Sequence, residues 1–285
     1  MWGKRYDGRR VKKLDPLALL MPYVMTTRTD SQNQFSEDFF SEPLDEYIKA
    51  KSADGINLTY MSILIACIMR VIAERPALNR FIMNKKIYTR NKIWISFVVQ
   101  RSLRDDSAET TIKLAFDGTE SILDVNKAVV DAVEKTTKKE TSNDTDKLAK
   151  IISLVPGPLM TFVFWMFKAL DKLELLPKSI VEASPFHTTL FITNLKSLGI
   201  NYIFHHVYEF GTTGLFIALG KERLKVVPGK DGVPESKKVV TLGVVTDERF
   251  CDGLYFARSI KLLKRYMANP ALLETPLAKK VEDVE

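Results

Sequence analysis

Cysteine is scarce in this sequence of 285 residues and occurs twice, at Cys67 and Cys251. Two thiols cannot build the disulfide framework of a small secreted domain or a cysteine-rich metal site. Histidine is almost as rare, and no His-x-x-His or Cys-x-x-Cys spacing typical of zinc occurs. The three histidines are His187, His205 and His206, for which we expect structural or surface roles. The adjacent pair should point to opposite faces of an extended chain. The composition therefore predicts a protein without a bound metal in a reducing, cytoplasmic setting.

Long apolar runs are also missing. The longest, LVPGPLMTFVFWMF at 154–167, is interrupted by Pro156 and Pro158. Its uninterrupted part, from Leu159 to Phe167, is far shorter than the roughly 20 residues that span a bilayer. The basic start of the chain is not followed by the apolar core of a secretory signal. We therefore expect neither a transmembrane helix nor export.

The charges give a modest basic excess without a basic block. Lys and Arg number 42 and Asp and Glu number 35, which leaves a net charge of +7, and the two signs are interspersed along the chain. Such a pattern is typical of a well-solvated surface rather than of a nucleic-acid-binding face. We expect no nucleic acid partner.

Helical and strand patterns alternate along the chain. Apolar residues at helical spacing predict one helix that Ser62 caps and Pro76 ends, and two others that cover 122–133 and 254–267. Runs rich in β-branched and aromatic residues predict strands. These runs are IWISFVV (93–99), FHTTLFITNL (186–195), TGLFIALGK (213–221) and KKVVTLGVVTDE (237–248). With no repeat and no Gly-Ser linker, the sequence predicts a single α/β domain over 1–285, with an apolar helical insertion at about 154–176.

Four segments, in this order, resemble the catalytic domain of the dihydrolipoamide acyltransferases of 2-oxo-acid dehydrogenase complexes and the related chloramphenicol acetyltransferase. The segments are RPALNRF (75–81), LFITNLKSLGI (190–200), GLFIALGK (214–221) and VTLGVVTDERFCDGLYFARSI (240–260). The last stands where those enzymes have His-x-x-x-Asp-Gly. The resemblance implies a two-layer chloramphenicol acetyltransferase-like fold, with a mixed sheet and helices packed on one face. It also implies a homotrimer, an active site in the channel between subunits, and coenzyme A or acyl-CoA as a substrate. We expect no lipoyl-bearing or subunit-binding module.

The resemblance also implies roles for particular residues. In that family a histidine removes the thiol proton, and a hydroxyl on the Asn-Leu strand binds the oxyanion. The motif aspartate supports the site through an arginine. In this sequence the hydroxyl falls on Thr193, followed by Asn194. The aspartate falls on Asp252, followed by Gly253, and its arginine partner is assigned to Arg28.

The position of the base histidine is occupied by Glu248. The reference pKa of a glutamate is about 4.3 and that of a thiol about 8.5, so proton transfer starts ~4 units uphill, against ~2 for histidine. The difference is roughly 3 kcal/mol, or about two orders of magnitude in rate. Burial would recover part of this loss, but an anion beside the developing oxyanion opposes the transition state. Lys196, in place of the family's glycine, is expected to crowd or charge the site.

Three functions therefore stay open. One is an acyltransferase with impaired or altered catalysis that uses Glu248, or a base brought in from His205 or His206. The second is an inactive trimeric binding or assembly module that retains a channel for a coenzyme A-like or acyl ligand. The third is a membrane-surface protein that uses the Phe/Trp-rich helix. The resemblance does not explain the Phe/Trp-rich segment 154–176. We expect it to be a helix buried in the core or at a subunit contact, and the alternatives are a lid over an acyl pocket or a membrane contact through 159–167.

Overall fold

The computed structural model describes residues 5–100, 109–138, 144–229 and 231–284. Its strands are β1 (Gly8–Arg10), β2 (Gln32–Phe40), β3 (Arg80–Met83), β4 (Lys86–Arg90), β5 (Ile93–Gln100), β6 (Glu109–Phe116), β7 (Leu190–Asn194), β8 (Leu215–Pro228) and β9 (Pro234–Asp247). Its helices are α1 (Pro16–Val24), α2 (Glu42–Ala53), α3 (Tyr60–Glu74), α4 (Ile122–Lys138), α5 (Asp144–Ser153), α6 (Gly157–Lys172), α7 (Lys178–Ala183) and α8 (Gly253–Ala268).

The larger sheet joins six of the described strands in the order β2-β9-β8-β7-β5-β6. β7 is parallel to both of its neighbours, and the other pairs are antiparallel. The pairing sets Thr193 beside Ala218 of β8, and Ala218 beside Gly243 of β9. A smaller antiparallel sheet has the order β1-β4-β3. This mixed sheet with its helices confirms the predicted fold class.

The main core lies between one face of the larger sheet and helices α3, α4 and α8. α3 is buried at every residue from Met61 to Ala73, as its nearly uniform apolar sequence predicts. Along β7, Leu190 and Ile192 join this core, whereas Phe191 belongs to a small cluster on the opposite face. That alternation is the period of two that a strand imposes on its side chains.

An irregular segment, 201–208, covers the opposite face of the sheet. It lies close to the strands because β8 and β9 carry glycines beneath it. A Cβ at Gly243 would stand 2.7 Å from the Tyr202 ring, and a Cβ at Gly220 would stand 2.6 Å from the Tyr202 nitrogen. Val207 of the segment packs in the cluster formed with Phe216. The two glycines therefore set the height of this segment above the sheet.

Two helix starts show why the boundaries fall where they do. α8 begins after Asp252, whose side chain accepts a hydrogen bond from the Tyr255 amide at 2.7 Å. α3 begins earlier than predicted, because Thr59, and not Ser62, provides the N-cap. The Thr59 hydroxyl accepts a hydrogen bond from the Ser62 amide at 3.0 Å.

α6 differs from the expected buried helix. On one side, its Phe164 packs edge-to-face on Phe210, with ring centroids 5.4 Å apart. On the other side, Leu159, Phe162 and Trp165 are exposed. The expectation that this helix lies in the core is therefore wrong, and its role at a subunit contact stays a prediction. No helix in the described ranges has the length and apolar character needed to cross a membrane.

Candidate functional site

A cleft of about 430 Å³ lies between β2, the end of β9 and the start of α8. Glu248, the residue after β9, lines this cleft, and its side chain is exposed in the single subunit. Its Oε2 accepts a hydrogen bond from Asn33 Nδ2 at 2.5 Å, and its amide donates to the Ser31 carbonyl at 2.9 Å. Phe35 and Phe256, in edge-to-face contact at 5.1 Å, form part of the apolar wall.

A buried ion pair flanks Glu248. The Arg249 guanidinium donates from Nε and Nη2 to the two carboxylate oxygens of Asp247, at 2.8 and 2.6 Å. It also donates from Nη1 to the Met25 carbonyl at 3.1 Å. Asp247 and Arg249 are both buried, whereas Glu248, between them in the turn that follows β9, is exposed and lines the cleft.

The expected contact between Arg28 and Asp252 is not formed. Asp252 is exposed and caps α8, of which Gly253 is the first residue. Arg28 is buried and precedes a short 3-10 turn instead of lying in an extended segment. Its guanidinium donates to three backbone carbonyls, none of which belongs to a residue that lines the cleft. They are the carbonyls of Tyr208, Glu209 and Ile82, at 3.1, 3.2 and 3.2 Å. The arginine–aspartate pair at this corner of the fold is Arg249 with Asp247.

The remaining polar lining of the cleft carries both signs of charge, with Glu37 and Asp252 on the acidic side. Lys261 and Lys264 of α8 line it, and Lys264 forms an ion pair with Glu37. Cys251 lies beside the motif aspartate, where burial raises the pKa of its thiol to about 12. A thiol with this pKa stays protonated at neutral pH and is a poor nucleophile.

The candidate hydroxyl, Thr193, lies on the opposite face of the sheet from the main core. Its Oγ1 is 3.2 Å from Nε2 of His205, whose ring stacks on Phe216 with centroids 4.4 Å apart. Burial lowers the pKa of His205, and its neighbour His206 lowers it further. The imidazole is therefore largely neutral at pH 7, and its tautomer decides whether Nε2 accepts from the threonine hydroxyl or donates to it. His206 is exposed and contacts Tyr208 at 5.1 Å, so the two histidines diverge as predicted.

The residues after Thr193 shape a turn and do not reach the hydroxyl. The Asn194 side chain accepts a backbone N–H of that turn at 3.2 Å. Lys196 pairs with Glu222 at 3.2 Å, and its ammonium lies 4.2 Å from the centroid of the Tyr60 ring. The expectation that Lys196 would crowd or charge the site is wrong, because Glu222 and Tyr60 hold its ammonium.

Within one chain the sheet holds Thr193 and Glu248 apart. Thr193 is level with Gly243, two strands away, and Glu248 lies five residues beyond Gly243. At about 3.3 Å per residue the offset along the strands is roughly 16 Å. The chain thus carries two separate groups, which we name the Glu248 half-site (the cleft with Asn33) and the Thr193 half-site (Thr193 with His205).

The third histidine belongs to a buried polar network. His187 Nδ1 lies 2.8 Å from Ser184 Oγ, and Nε2 lies 3.1 Å from an oxygen of Asp171. Asp171 also accepts from Arg5 Nη1 at 2.7 Å, and Arg5 donates to Asp7 at 2.8 Å. The order serine, histidine, aspartate has the composition of a catalytic triad, but none of the five residues is more than 8% exposed. A hydroxyl this buried does not meet a substrate, so the network is structural, as predicted for His187.

Two contacts that shape these half-sites could not be predicted from local sequence patterns. Asn33 reaches Glu248 because β2 pairs with β9, with Asn33 opposite Thr246. His205 reaches Thr193 because segment 201–208 folds back over β7.

Among the residues that the structure describes, no group of three or more His, Cys, Asp or Glu side chains is placed to hold a metal ion.

No protein-family model matches the chain, and no curated protein matches it. Solved structures do match. The cubic core of the pyruvate dehydrogenase multienzyme complex is 13% identical with a TM-score of 0.60, and the match covers 93% of this chain and 94% of that one. The dihydrolipoamide acetyltransferase of Azotobacter vinelandii is 15% identical with a TM-score of 0.59, covering 92% and 93%. A chloramphenicol acetyltransferase is 8% identical with a TM-score of 0.54, covering 91% and 99%. At these identities the likeness shows the fold, which is the chloramphenicol acetyltransferase-like fold that the sequence predicted.

Proposed function

We propose that this protein is a coenzyme A-dependent acyltransferase with altered catalysis, active as a cytoplasmic homotrimer. In the Azotobacter enzyme a serine, a histidine and an asparagine are studied for their roles in the catalytic mechanism, the last two being four positions apart. Glu248 and Asp252 have the same spacing here, and Thr193 offers a hydroxyl. The observation that carries the proposal is the match to acyltransferase cores over more than nine-tenths of the chain.

Each active site would combine the Glu248 half-site of one subunit with the Thr193 half-site of the next. The support is the offset of roughly 16 Å along the strands, which keeps the two groups from meeting within one chain. The reacting carbonyl must lie about 3 Å from the oxyanion donor, so a substrate held in the Glu248 cleft does not reach the Thr193 hydroxyl of the same chain. A neighbouring copy in a closed ring is the simplest source of the missing group.

The proton acceptor of the reaction is best assigned to His205. Its imidazole is neutral, and it already contacts the Thr193 hydroxyl at 3.2 Å. The Glu248 carboxylate, by contrast, has Oε2 engaged by Asn33 and would add a negative charge beside the oxyanion. In this arrangement Thr193 donates to the oxyanion once His205 takes the proton of the incoming thiol, alcohol or amine. The deprotonated acceptor attacks the thioester carbonyl carbon, and collapse of the tetrahedral intermediate breaks the carbon–sulfur bond, so that the coenzyme A thiolate leaves and takes the proton from His205.

Turnover of acetyl-CoA with a panel of thiol, alcohol and amine acceptors tests the activity, with free coenzyme A thiol as the readout. We expect Thr193→Ala and His205→Gln each to lower kcat by about 100-fold, the usual contribution of one oxyanion donor or one general base. Glu235→Gln, an exposed change on the β8–β9 hairpin, is the matched control and should leave kcat unchanged. Full activity in His205→Gln would overturn the assignment of the base.

Subunit mixing tests the shared site. Glu248→Trp subunits, in which a large side chain fills the cleft, and Thr193→Ala subunits are unfolded together, refolded as mixed trimers and assayed. A mixed trimer has one interface where both contributing groups are intact, so random 1:1 mixing restores about a quarter of the wild-type sites. Neither variant alone regains activity. If both groups acted within one chain, mixing would restore nothing, and the shared site would be rejected.

A second function is favoured by the carboxylate at position 248. Since a glutamate is poorly matched to thiol ionisation, the same channel would suit a trimeric binding or assembly module without turnover. Calorimetric titration with coenzyme A separates the two functions. Tight binding that survives His205→Gln, together with no turnover of any acceptor, would support the module and exclude the enzyme.

A further inference from the structure

The exposed side of α6 carries a row of large apolar side chains. We name as the apolar stripe Leu154, just before the helix, with Leu159, Phe162 and Trp165 on it. These residues are 78%, 55%, 57% and 62% exposed. The Phe162 and Trp165 rings stack on each other, with centroids 5.8 Å apart. Contiguous apolar surface of this kind is typical of a site that another surface covers.

The stripe cannot turn inward, because the inner side of α6 is anchored. Phe164 packs on Phe210, and the buried Asp171 accepts from Arg5 at 2.7 Å and contacts His187 at 3.1 Å. Both anchors lie on the side opposite Phe162 and Trp165. Whatever covers the stripe therefore comes from outside the subunit.

In α6 and the last turn of α5, the exposed charges of the side chains that the structure describes are positive. Lys168 and Lys172 stand three and seven positions after Trp165, so they share its side of the helix, and both are exposed. Lys150, in the last turn of α5, is exposed as well. The acidic residue of α6, Asp171, is buried on the other side and is neutralised by Arg5. The exposed side of α6 thus joins aromatic rings to ammonium groups without a carboxylate.

We propose that α6 lies flat on an anionic membrane surface, with the apolar stripe at the boundary between headgroups and acyl chains. Phe and Trp beside a row of lysines is the composition of interfacial helices. Each lysine adds an electrostatic attraction to the lipid phosphates. A second copy fits less well, because pairing the same sides of α6 would set Lys168 and Lys172 against equal charges on a protein of net charge +7. This membrane contact is independent of the acyl transfer proposed above.

Co-sedimentation of the full-length protein with vesicles tests the proposal. Vesicles of phosphatidylcholine alone are compared with vesicles that contain phosphatidylglycerol as well. We expect the wild type to bind the anionic vesicles, and Trp165→Glu to weaken that binding by about tenfold or more through lost apolar burial and added charge. The matched control is Leu224→Glu on β8. Like Trp165→Glu, it replaces an exposed apolar side chain by a carboxylate, and Leu224 is 69% exposed. It should bind like the wild type.

A second variant separates the charge from the apolar contact. The double change Lys168→Gln and Lys172→Gln should weaken binding to anionic vesicles by about fivefold per lysine, and should leave binding to neutral vesicles unchanged. Unfolding curves identical to the wild type show that each variant is folded. Equal sedimentation of Trp165→Glu and Leu224→Glu would overturn the proposal. The proposal would also be overturned if the wild type did not bind anionic vesicles and Trp165→Glu lowered the oligomer mass in light scattering. The stripe would then be an interface between copies.

Discussion

Replacing Asp171 by alanine should weaken the packing of α6 against the rest of the subunit. Asp171 is 3% exposed, and it joins two partners from distant parts of the chain, Arg5 and His187. Burial alone would raise the pKa of this carboxyl, but the hydrogen bonds and charges of His187 and Arg5 outweigh burial and hold the pKa below its usual range. The carboxylate is therefore ionised and paired in the folded protein.

The size of the loss follows from what each partner keeps. Breaking a buried pair by removing one side costs about 3–5 kcal/mol when the other charge is left alone. Arg5 is not left alone, since Asp7 still accepts from its Nε and Nη2 at 2.8 and 3.1 Å. His187 loses its Nε2 partner, and an unsatisfied buried donor costs about 1–3 kcal/mol. We expect Asp171→Ala to lower the free energy of unfolding by about 3 kcal/mol, and Asp171→Asn to lose less, because its amide oxygen still accepts from Arg5.

Urea unfolding measures this loss, provided that the dependence on urea has the same slope in both proteins. The matched control is Asp131→Ala, which removes an exposed pair with Lys127 on α4 and should change nothing measurable. If Asp171→Ala lowers the free energy of unfolding by less than about 1 kcal/mol, or by no more than the control does, this network does not stabilise the position of α6.

Three further outcomes are expected. Glu248→His should raise kcat by about 10–100-fold, because it removes a negative charge and supplies an imidazole, and an unchanged kcat would place residue 248 away from the reacting atoms. Gly243→Ala should lower the free energy of unfolding by about 1–3 kcal/mol, since its Cβ would stand 2.7 Å from the Tyr202 ring; urea unfolding equal to the wild type would contradict this contact. Stability should fall as the pH drops below about 6.5, because the pKa of His187 is lowered by burial and the unfolded state takes up this proton first; His187→Gln should flatten urea midpoints measured between pH 5 and 7.5.

Local patterns were enough to predict much of the fold. The β-branched run 93–99 became β5, and the apolar and amphipathic periods became α3 and α8, because these signals reside within the element itself. Helix starts and strand ends were less predictable. Thr59 caps α3 in place of Ser62, and β8 continues to Pro228, beyond the predicted end at residue 221, because the hairpin strands stabilise each other beyond the core.

The candidate site was predictable in its residue types but not in its contacts. The motif placed Glu248 at a cleft and Thr193 on β7, as its spacing indicates. The partners come from elements far away in sequence: Asn33 from β2, and His205 from the segment that folds back over the sheet. The expected Arg28–Asp252 contact failed for the same reason, since backbone carbonyls from distant segments hold Arg28.

The backbone around position 248 is held by contacts that do not involve its side chain. Asp247 and Arg249 form a buried pair on either side of it, and the amide of Glu248 donates to the Ser31 carbonyl. We therefore expect a change at 248 to alter the chemistry of the cleft without altering the fold. In the shared site proposed above, the imidazole of His205, which contacts Thr193, would come from the wall opposite position 248. If the wall opposite position 248 is a second copy of the chain, acyl transfer must fail in any form of the protein that folds but does not assemble.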